Sequence, residues 1–506
     1  MTKTWRIILG ISGLLLFLLS TWQILQVRSG LETLSTRAGD VPVEFIALKG
    51  QLHADRPIAL IGHGFAGSGV IMRGFAHTLA RAGYIAALWD FNGHGANPLP
   101  LSSDFSRNTL LPNAEAALAK AVELGIGDAK RTAILGHSMG SGVALSFGQE
   151  QPETDAVIAI SPVGTPVTAD LPRNLLLMAG ENEPGFLENA RQRLAEAGGE
   201  GGDPAAGSAR KLVVIQLVEH ISIVFATRAH QEARQWLDLT FGAQPGAQDY
   251  SDYRIGWYSL GVIGMLLAAG MLIPASQGVQ GRFFPAPWKR GLALLLGALG
   301  ASGLLWLLGL AGADLTQSLG MMLGGYLLAW FALAGIIAGL LLESFQSGGL
   351  FLRKTNPSAW NWLLGLGWRD ALKALVVAGA LWLGIGLLGG QVWLPWLLIP
   401  ARLVLWPLGV ICMLPWFLAV GQSASQANAW GRLGWWAAQS AALMLGLFLS
   451  MQLTEGVFFL ALILPIFPLI LGAHAAAAGR QRNAWAFALS GALFASWALL
   501  AVFPLV

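Results

Sequence analysis

From residue 256 onward the chain is a succession of apolar runs, at roughly 256–273, 292–311, 321–342, 374–388, 396–420, 435–453, 457–472 and 485–503. A bilayer presents about 30 Å of hydrocarbon, which a helix of about 20 apolar residues crosses. Backbone polar groups inside it must be bonded within their own segment, so runs of this kind are expected to be membrane-spanning helices, about eight of them over 256–506. A further run, 5–25, is uncharged apart from Arg6. It exceeds the roughly 7–15 apolar residues of a signal peptide, and no small-x-small cleavage site follows it, so 1–28 reads as an uncleaved anchor.

The stretch between these runs was shaped by a different solvent. Residues 1–253 hold 19 Lys/Arg and 24 Asp/Glu, net −5, whereas residues 254–506 hold 12 and 4, net +8, together giving the net +3 of the 506-residue chain. Mean hydropathy is +0.58 and the isoelectric point near 9.1. The basic excess lies in the apolar half, where Lys and Arg mark loop orientation, so no nucleic-acid partner is expected. The single cysteine, Cys412, sits in an apolar run and supports no disulfide framework.

Arg282, Lys289 and Arg290, then Arg353, Lys354, Arg369 and Lys373, then Arg432, then Arg480 and Arg482 fall in alternate loops, while the loops near Asp314, Gly390 and Glu455 carry no Lys or Arg. The positive-inside rule puts the basic loops in the cytoplasm. Counting back places the N-terminus, with Lys3 and Arg6, inside and the segment after the first span outside. The expected setting is a multi-pass protein of a bacterial cytoplasmic membrane.

Over 37–242 short β-branched runs alternate with amphipathic stretches. Strands are expected at 43–48, 58–61, 85–89, 132–135, 156–160, 174–178 and 212–217, and helices near 70–82, 112–124, 139–150, 186–197 and 222–240. Such alternation implies a mainly parallel sheet flanked by helices. Gly198–Ser208 reads as a surface loop and 243–255 as a linker.

Within that region Gly136-His137-Ser138-Met139-Gly140 follows a strand and opens a helix. A serine at so sharp a turn needs glycines beside it, exposes its hydroxyl, and aims a helix N-terminus at any oxyanion formed there. His63-Gly64-Phe65 follows an earlier strand, and an acyl-transfer site needs two backbone N–H donors for the oxyanion; those of Phe65 and Met139 are the expected pair. His220, after the last strand, is the candidate base. The acid must lie between the strand at 174–178 and His220, in the sequence Gly-Glu-Asn-Glu-Pro; Glu183 is preferred and Glu181 is the alternative.

Taken together, His63-Gly64-Phe65, Asp90 to Gly95, the serine motif at 136–140, Gly180 to Glu183 and His220 resemble the α/β-hydrolase superfamily over about 37–242. The resemblance implies an α/β-hydrolase fold and a Ser-His-acid catalytic triad, with Asp90 and His94 organising a loop. Glutamate stands where the family usually has aspartate, and only about 13 residues, 161–173, occupy a place where many relatives insert a lid. No cofactor or metal is called for.

The resulting expectation is a membrane-bound serine hydrolase cleaving a carboxylic ester or related acyl bond of a compound held at the bilayer. Peptidase, thioesterase and acyltransferase chemistry share the same machinery. The competing reading is a lipid-handling transporter or scaffold whose α/β domain binds without catalysis. In the apolar half, Arg402 stands inside a run broken by Pro395, Pro400, Pro407 and Pro415. It is either a functional intramembrane charge or a snorkelling side chain on a bent helix.

Overall fold

The computed structural model describes residues 2–102, 107–275, 286–347, 366–425 and 427–506. Arg282, Arg353 and Lys354 lie outside them. The chain divides into two compact units. One comprises Trp22–Tyr258, Gly389–Ile399 and Pro504–Val506, and the other Met1–Thr21, Ser259–Leu388 and Pro400–Phe503.

The first unit is built on an eight-stranded sheet in the order β1-β2-β4-β3-β5-β6-β7-β8. The strands are β1 (Leu31–Ala38), β2 (Val41–Leu48), β3 (Pro57–Gly62), β4 (Ile85–Trp89), β5 (Asp128–His137), β6 (Ala156–Ile160), β7 (Leu175–Gly180) and β8 (Arg210–Ile215). From β4 to β8 all neighbours are parallel, while β1 and β2 pair antiparallel at one edge. Every residue of β3, β4, β6 and β7 is buried, as expected of parallel strands covered on both faces by helices. The crossovers include the helices Arg73–Arg81, Arg107–Leu124, Met139–Glu150 and Pro184–Glu196.

Strand β1 begins ahead of the region the sequence marks as α/β and overlaps it only at Arg37 and Ala38. Its residues Leu-Glu-Thr-Leu-Ser-Thr-Arg-Ala are half-buried or exposed throughout, because an edge strand buries no full apolar face. Residues 243–255, expected as a linker, are largely exposed but pinned at a few points. Arg254 is buried with its guanidinium on Asp252, Nη2 to Oδ2 at 2.5 Å and Nε to Oδ1 at 2.8 Å, and Gln248 N–H donates to the Arg81 carbonyl at 2.7 Å.

Two short segments from the apolar half join this unit through hydrogen bonds. The carbonyl of Gly390 accepts from Arg73 Nη1 at 3.3 Å, and that of Gln391 from Arg254 Nη1 at 3.1 Å. Leu505 donates its N–H to the Gly93 carbonyl at 2.9 Å and accepts from Leu101 N–H at 2.8 Å. Sequence periodicity, which is local, carries no sign of either attachment.

The second unit is helical. Across the described residues of the chain eight helices are long and apolar enough to cross a membrane: Lys3–Gln26, Arg254–Leu272, Pro287–Leu310, Gly324–Phe345, Trp368–Leu387, Pro400–Ala424, Ala429–Leu453 and Ala484–Val502. The run at 457–472, expected to be a full span, is instead a single turn, Leu460–Ile463, followed by the 12-residue helix Ile466–Ala477. Pro465 separates the two, since it lacks the N–H that would continue the first helix. Polar groups inside the unit bond to one another: Trp330 Nε1 donates to Ser302 Oγ at 2.9 Å, and Ser302 Oγ donates to the Gly446 carbonyl at 2.7 Å.

Arg402 is buried, with Nη1 donating to the carbonyls of Leu500 at 2.7 Å and Phe503 at 2.6 Å. Those carbonyls belong to the end of the helix Ala484–Val502, where they have no intrahelical donor and the dipole is negative. Arg402 is therefore a helix cap and does not snorkel to solvent.

Candidate active site

The carboxyl ends of β5, β7 and β8 deliver three side chains to one edge of the sheet, where open α/β sheets bind their ligands. Ser138 directly follows β5, Glu183 lies three residues past β7, and His220 five past β8. The structure brings all three together. His220 Nε2 lies 2.9 Å from Ser138 Oγ, and His220 Nδ1 lies 2.9 Å from Glu183 Oε2. An ionised carboxylate only accepts, so Nδ1 carries the ring proton and Nε2 is left to accept from the serine hydroxyl. All three residues are buried.

Ser138 sits at φ 52° and ψ −118°, strained for a side chain with a Cβ, and caps the start of the helix Met139–Glu150. The turn is held by Ser138 N–H donating to the Ile160 carbonyl at 2.9 Å and by Ser141 Oγ donating to the Ser138 carbonyl at 2.5 Å. Gly140 is required by close approach: a Cβ there would stand 2.6 Å from the His63 carbonyl oxygen. This contact joins the serine turn to the His63–Phe65 turn. On the other side, a Cβ on Gly64 would lie 3.2 Å from Ser138 Cβ. Phe65 follows next in the chain, and Met139 N–H is the first of its helix, with no acceptor one turn earlier.

Glu183 is fixed on its second oxygen. Oε1 accepts from Gly180 N–H at 2.5 Å and from Ser161 Oγ at 2.7 Å. Glu181, the alternative acid, is exposed and accepts instead from Leu217 N–H at 3.1 Å. Asp90 ties two loops together, accepting from Gly69 N–H and from Ala96 N–H, both at 2.8 Å, and His94 Nδ1 lies 2.9 Å from the Asn92 carbonyl.

Four residues that hold this arrangement escape a reading of the sequence. Ser161 braces the acid. His137, the variable position of the serine motif, places Nε2 at 2.8 Å from the His220 carbonyl, so Nε2 donates. His63 receives Phe91 N–H on Nε2 at 3.1 Å and donates from Nδ1 to the Gly64 carbonyl at 2.7 Å. Burial pushes both imidazoles below their ordinary value, and the neighbouring His220 lowers His137 further. Phe186 stacks on the His220 ring, centroids 4.0 Å apart. Only Ser161 carries a signal that could have been used, because it is the first residue past a buried strand at the same edge of the sheet.

Residues 53–190 match the family described as serine aminopeptidase, S33, wholly inside the α/β unit. No curated protein matches the chain significantly. Similar solved structures include an esterase/lipase from an uncultured bacterium, at 17% identity over 42% of this chain and 84% of that one with a TM-score of 0.32. The dienelactone hydrolase of Anabaena variabilis matches at 18% identity over 41% and 95%, with a TM-score of 0.30. An esterase of the bacterial hormone-sensitive lipase family matches at 18% over 43% and 86%, with a TM-score of 0.32. With its sheet order and this family match, the chain carries a serine-hydrolase domain of the α/β-hydrolase fold, beside helices able to form a multi-pass membrane region.

Proposed function

We propose that the protein is a membrane-bound hydrolase of carboxylic esters that acts outside the cytoplasm on acyl compounds held at the bilayer. The observation that carries the chemistry is the single imidazole of His220 set 2.9 Å from a serine hydroxyl and 2.9 Å from a buried carboxylate. Ser138 Oγ attacks the acyl carbon while its proton passes to His220 Nε2, and the imidazolium so formed is stabilised by Glu183. The N–H groups of Phe65 and Met139 hold the oxyanion, helped by the positive end of the Met139–Glu150 helix. His220 then protonates the leaving alkoxide. Water attacks the acyl-enzyme with His220 as base, and the acid departs as Ser138 regains its proton.

Two features favour an acyl chain as the group bound. Phe186 covers His220, and Leu217, three residues before it, is 86% exposed. The apolar helices Lys3–Gln26 and Arg254–Leu272 tether the unit at both ends. A lipid left in place avoids losing about 0.8 kcal/mol of burial per methylene drawn into water.

Sidedness rests on loop charge. Counting the Pro465-broken segment Leu460–Ala477 as one crossing beside the eight longer helices, alternation from a cytoplasmic N-terminus puts 27–253, 389–399 and 503–506 on the outer side. Those are the stretches that the α/β unit gathers. The three arginines this places outside near helix ends, Arg28, Arg254 and Arg402, are bound to Gln391, to Asp252 and to helix carbonyls.

The test uses the full chain reconstituted in vesicles, offered a short-chain p-nitrophenyl ester, a long-chain acyl lipid in the bilayer and an aminoacyl amide. Hydrolysis of both esters in preference to the amide supports the reading; turnover of the amide alone overturns it in favour of a peptidase.

A further inference from the structure

The helical unit contains a cavity of about 440 Å³ into which four arginines converge, Arg6, Arg432, Arg480 and Arg482, opposite an apolar wall formed by the helix Arg254–Leu272, including Ile263 and Leu267. The four come from three separated parts of the sequence, and no carboxylate lines the cavity among the described residues. Arg6, Arg432 and Arg480 hold helix-end carbonyls with only part of their donor set. Arg6 Nη2 donates to the Met271 carbonyl at 3.3 Å, and Arg480 Nη1 to that of Ile273 at 3.2 Å. Arg432 and Arg482 each donate from Nη1 to the Ala427 carbonyl at 3.1 Å. Each guanidinium offers five donors in a planar fork. Arg6 Nε is buried and has no partner.

Positive charges gathered at the margin of a hydrocarbon region without an acid repel one another. Burial lowers the proton affinity of Arg480, and Arg6 and Arg482 lower it further. Helix capping accounts for single arginines, as at Arg402, but not for four around one empty volume. An anion would relieve the repulsion and use the remaining donors. Ile263 is half-exposed and Leu267 partly so, leaving an apolar strip beside the charges on which a hydrocarbon chain can lie.

We infer that this cavity binds the phosphate headgroup of an anionic phospholipid, with an acyl chain along the Ile263–Leu267 face. Arginine suits the role because its fork matches phosphate oxygens, and basic pockets between transmembrane helices on the cytoplasmic side are where such headgroups bind. The site is separate from Ser138 and stands whether or not the ester-hydrolase reading holds. A free phosphate shares the headgroup chemistry but not the need for an apolar wall.

The experiment titrates the full chain, purified in neutral detergent, with phosphatidylglycerol, phosphatidylcholine or inorganic phosphate, and counts bound ligand by native mass spectrometry. Phosphatidylglycerol should bind at least tenfold more tightly than either of the others. The double variant Arg6→Gln/Arg480→Gln should lose at least tenfold of that affinity, whereas Arg369→Gln, an arginine outside the cavity, should lose less than twofold. Equal binding of the two lipids, binding of phosphate as tight as the lipid, or an unaffected double variant would each overturn the inference. If the double variant does not fold, Leu267→Arg, which removes the apolar strip and keeps the guanidinium groups, must weaken phosphatidylglycerol without strengthening phosphate; unchanged lipid affinity would overturn it.

Discussion

The α/β unit and the helical unit differ in where backbone strain falls relative to their polar groups. Among the described residues seven non-glycine residues have positive φ, five of them in the α/β unit and two, Leu319 and Leu323, in the helical unit; Ser138 and Leu217 are at or within three residues of the Ser138–His220 pair, and Ser161 braces Glu183. Each costs on the order of 1–3 kcal/mol. That cost is tolerated because the fully buried strands β3, β4, β6 and β7 beneath over-determine the turns above them. In the helical unit, by contrast, Arg402 and the Ser302–Trp330 pair satisfy backbone or side-chain partners within the bundle. Strain thus gathers at the edge of the sheet that carries Ser138 and His220. Seven of the eight histidines also belong to the α/β unit.

If that contrast reflects function, damage at the strained edge should cost activity and damage in the bundle should not. The largest expected effect is that of Ser138→Ala or His220→Ala, each lowering kcat by on the order of 10⁴-fold or more, since triad members act as a unit. Arg369→Gln in the helical unit, outside the arginine-lined cavity, should leave ester turnover within twofold. Steady-state kinetics on the full chain read both, and comparable losses in the two units would break the contrast.

Next in size is the choice of acid. Glu183→Gln should lower kcat on the order of 10²- to 10⁴-fold, because it forfeits the tautomer and the stabilised imidazolium, whereas Glu181→Gln should change it less than threefold. The reverse order would move the acid to Glu181 and leave Glu183 a structural carboxylate.

The buried histidines sharpen the contrast through pH. His63, His77, His137 and His230 are each held below the ordinary imidazole value, by burial in the first place. The unfolded chain takes up protons near pH 6.5 and the folded chain does not. Their contribution to stability is therefore complete above about pH 6.5 and is lost as pH falls, at about 1.4 kcal/mol per pH unit for each ring that stays neutral. The temperature at which serine reactivity is lost should drop by several degrees between pH 7.5 and 5.5. An unchanged temperature would mean that these rings protonate without cost in the folded state.

Smaller effects are expected where a brace is removed. Ser161→Ala takes one hydrogen bond from a charged acceptor and should lower kcat about tenfold with KM nearly unchanged. Leu505→Pro deletes the N–H bound to Gly93, worth about 1 kcal/mol, and should lower turnover about fivefold by loosening the loop that Asp90 organises. A change of the same size in KM alone would assign these residues to binding.

Much of this architecture is legible in the sequence, for reasons that differ by region. Apolar length marks the helices because hydrocarbon thickness is a fixed ruler, and at 457–472 Pro465 breaks the run into two pieces. The buried strands stand out because parallel sheets demand unbroken apolar runs, whereas β1, half-solvated, has no such signature. The serine turn is legible because its glycines are imposed by backbone contact, and Glu183 and His220 because chain order at the sheet edge confines them. Ser161, His137 and His63 are not, since their roles exist only once the strand ends and the turns above them meet. Nor is the recruitment of Gly389–Ile399 and Pro504–Val506 into the α/β unit, which depends on contacts hundreds of residues apart in the chain.

The measurement that bears most directly on the central claim is active-site labelling of the full chain by a fluorophosphonate, with the adduct located by peptide mass spectrometry. A serine poised by His220 should be labelled at Ser138, and the labelling should vanish in both Ser138→Ala and His220→Ala. An unlabelled protein that retains its folded helical content, or an adduct on another serine that persists in Ser138→Ala, would contradict it.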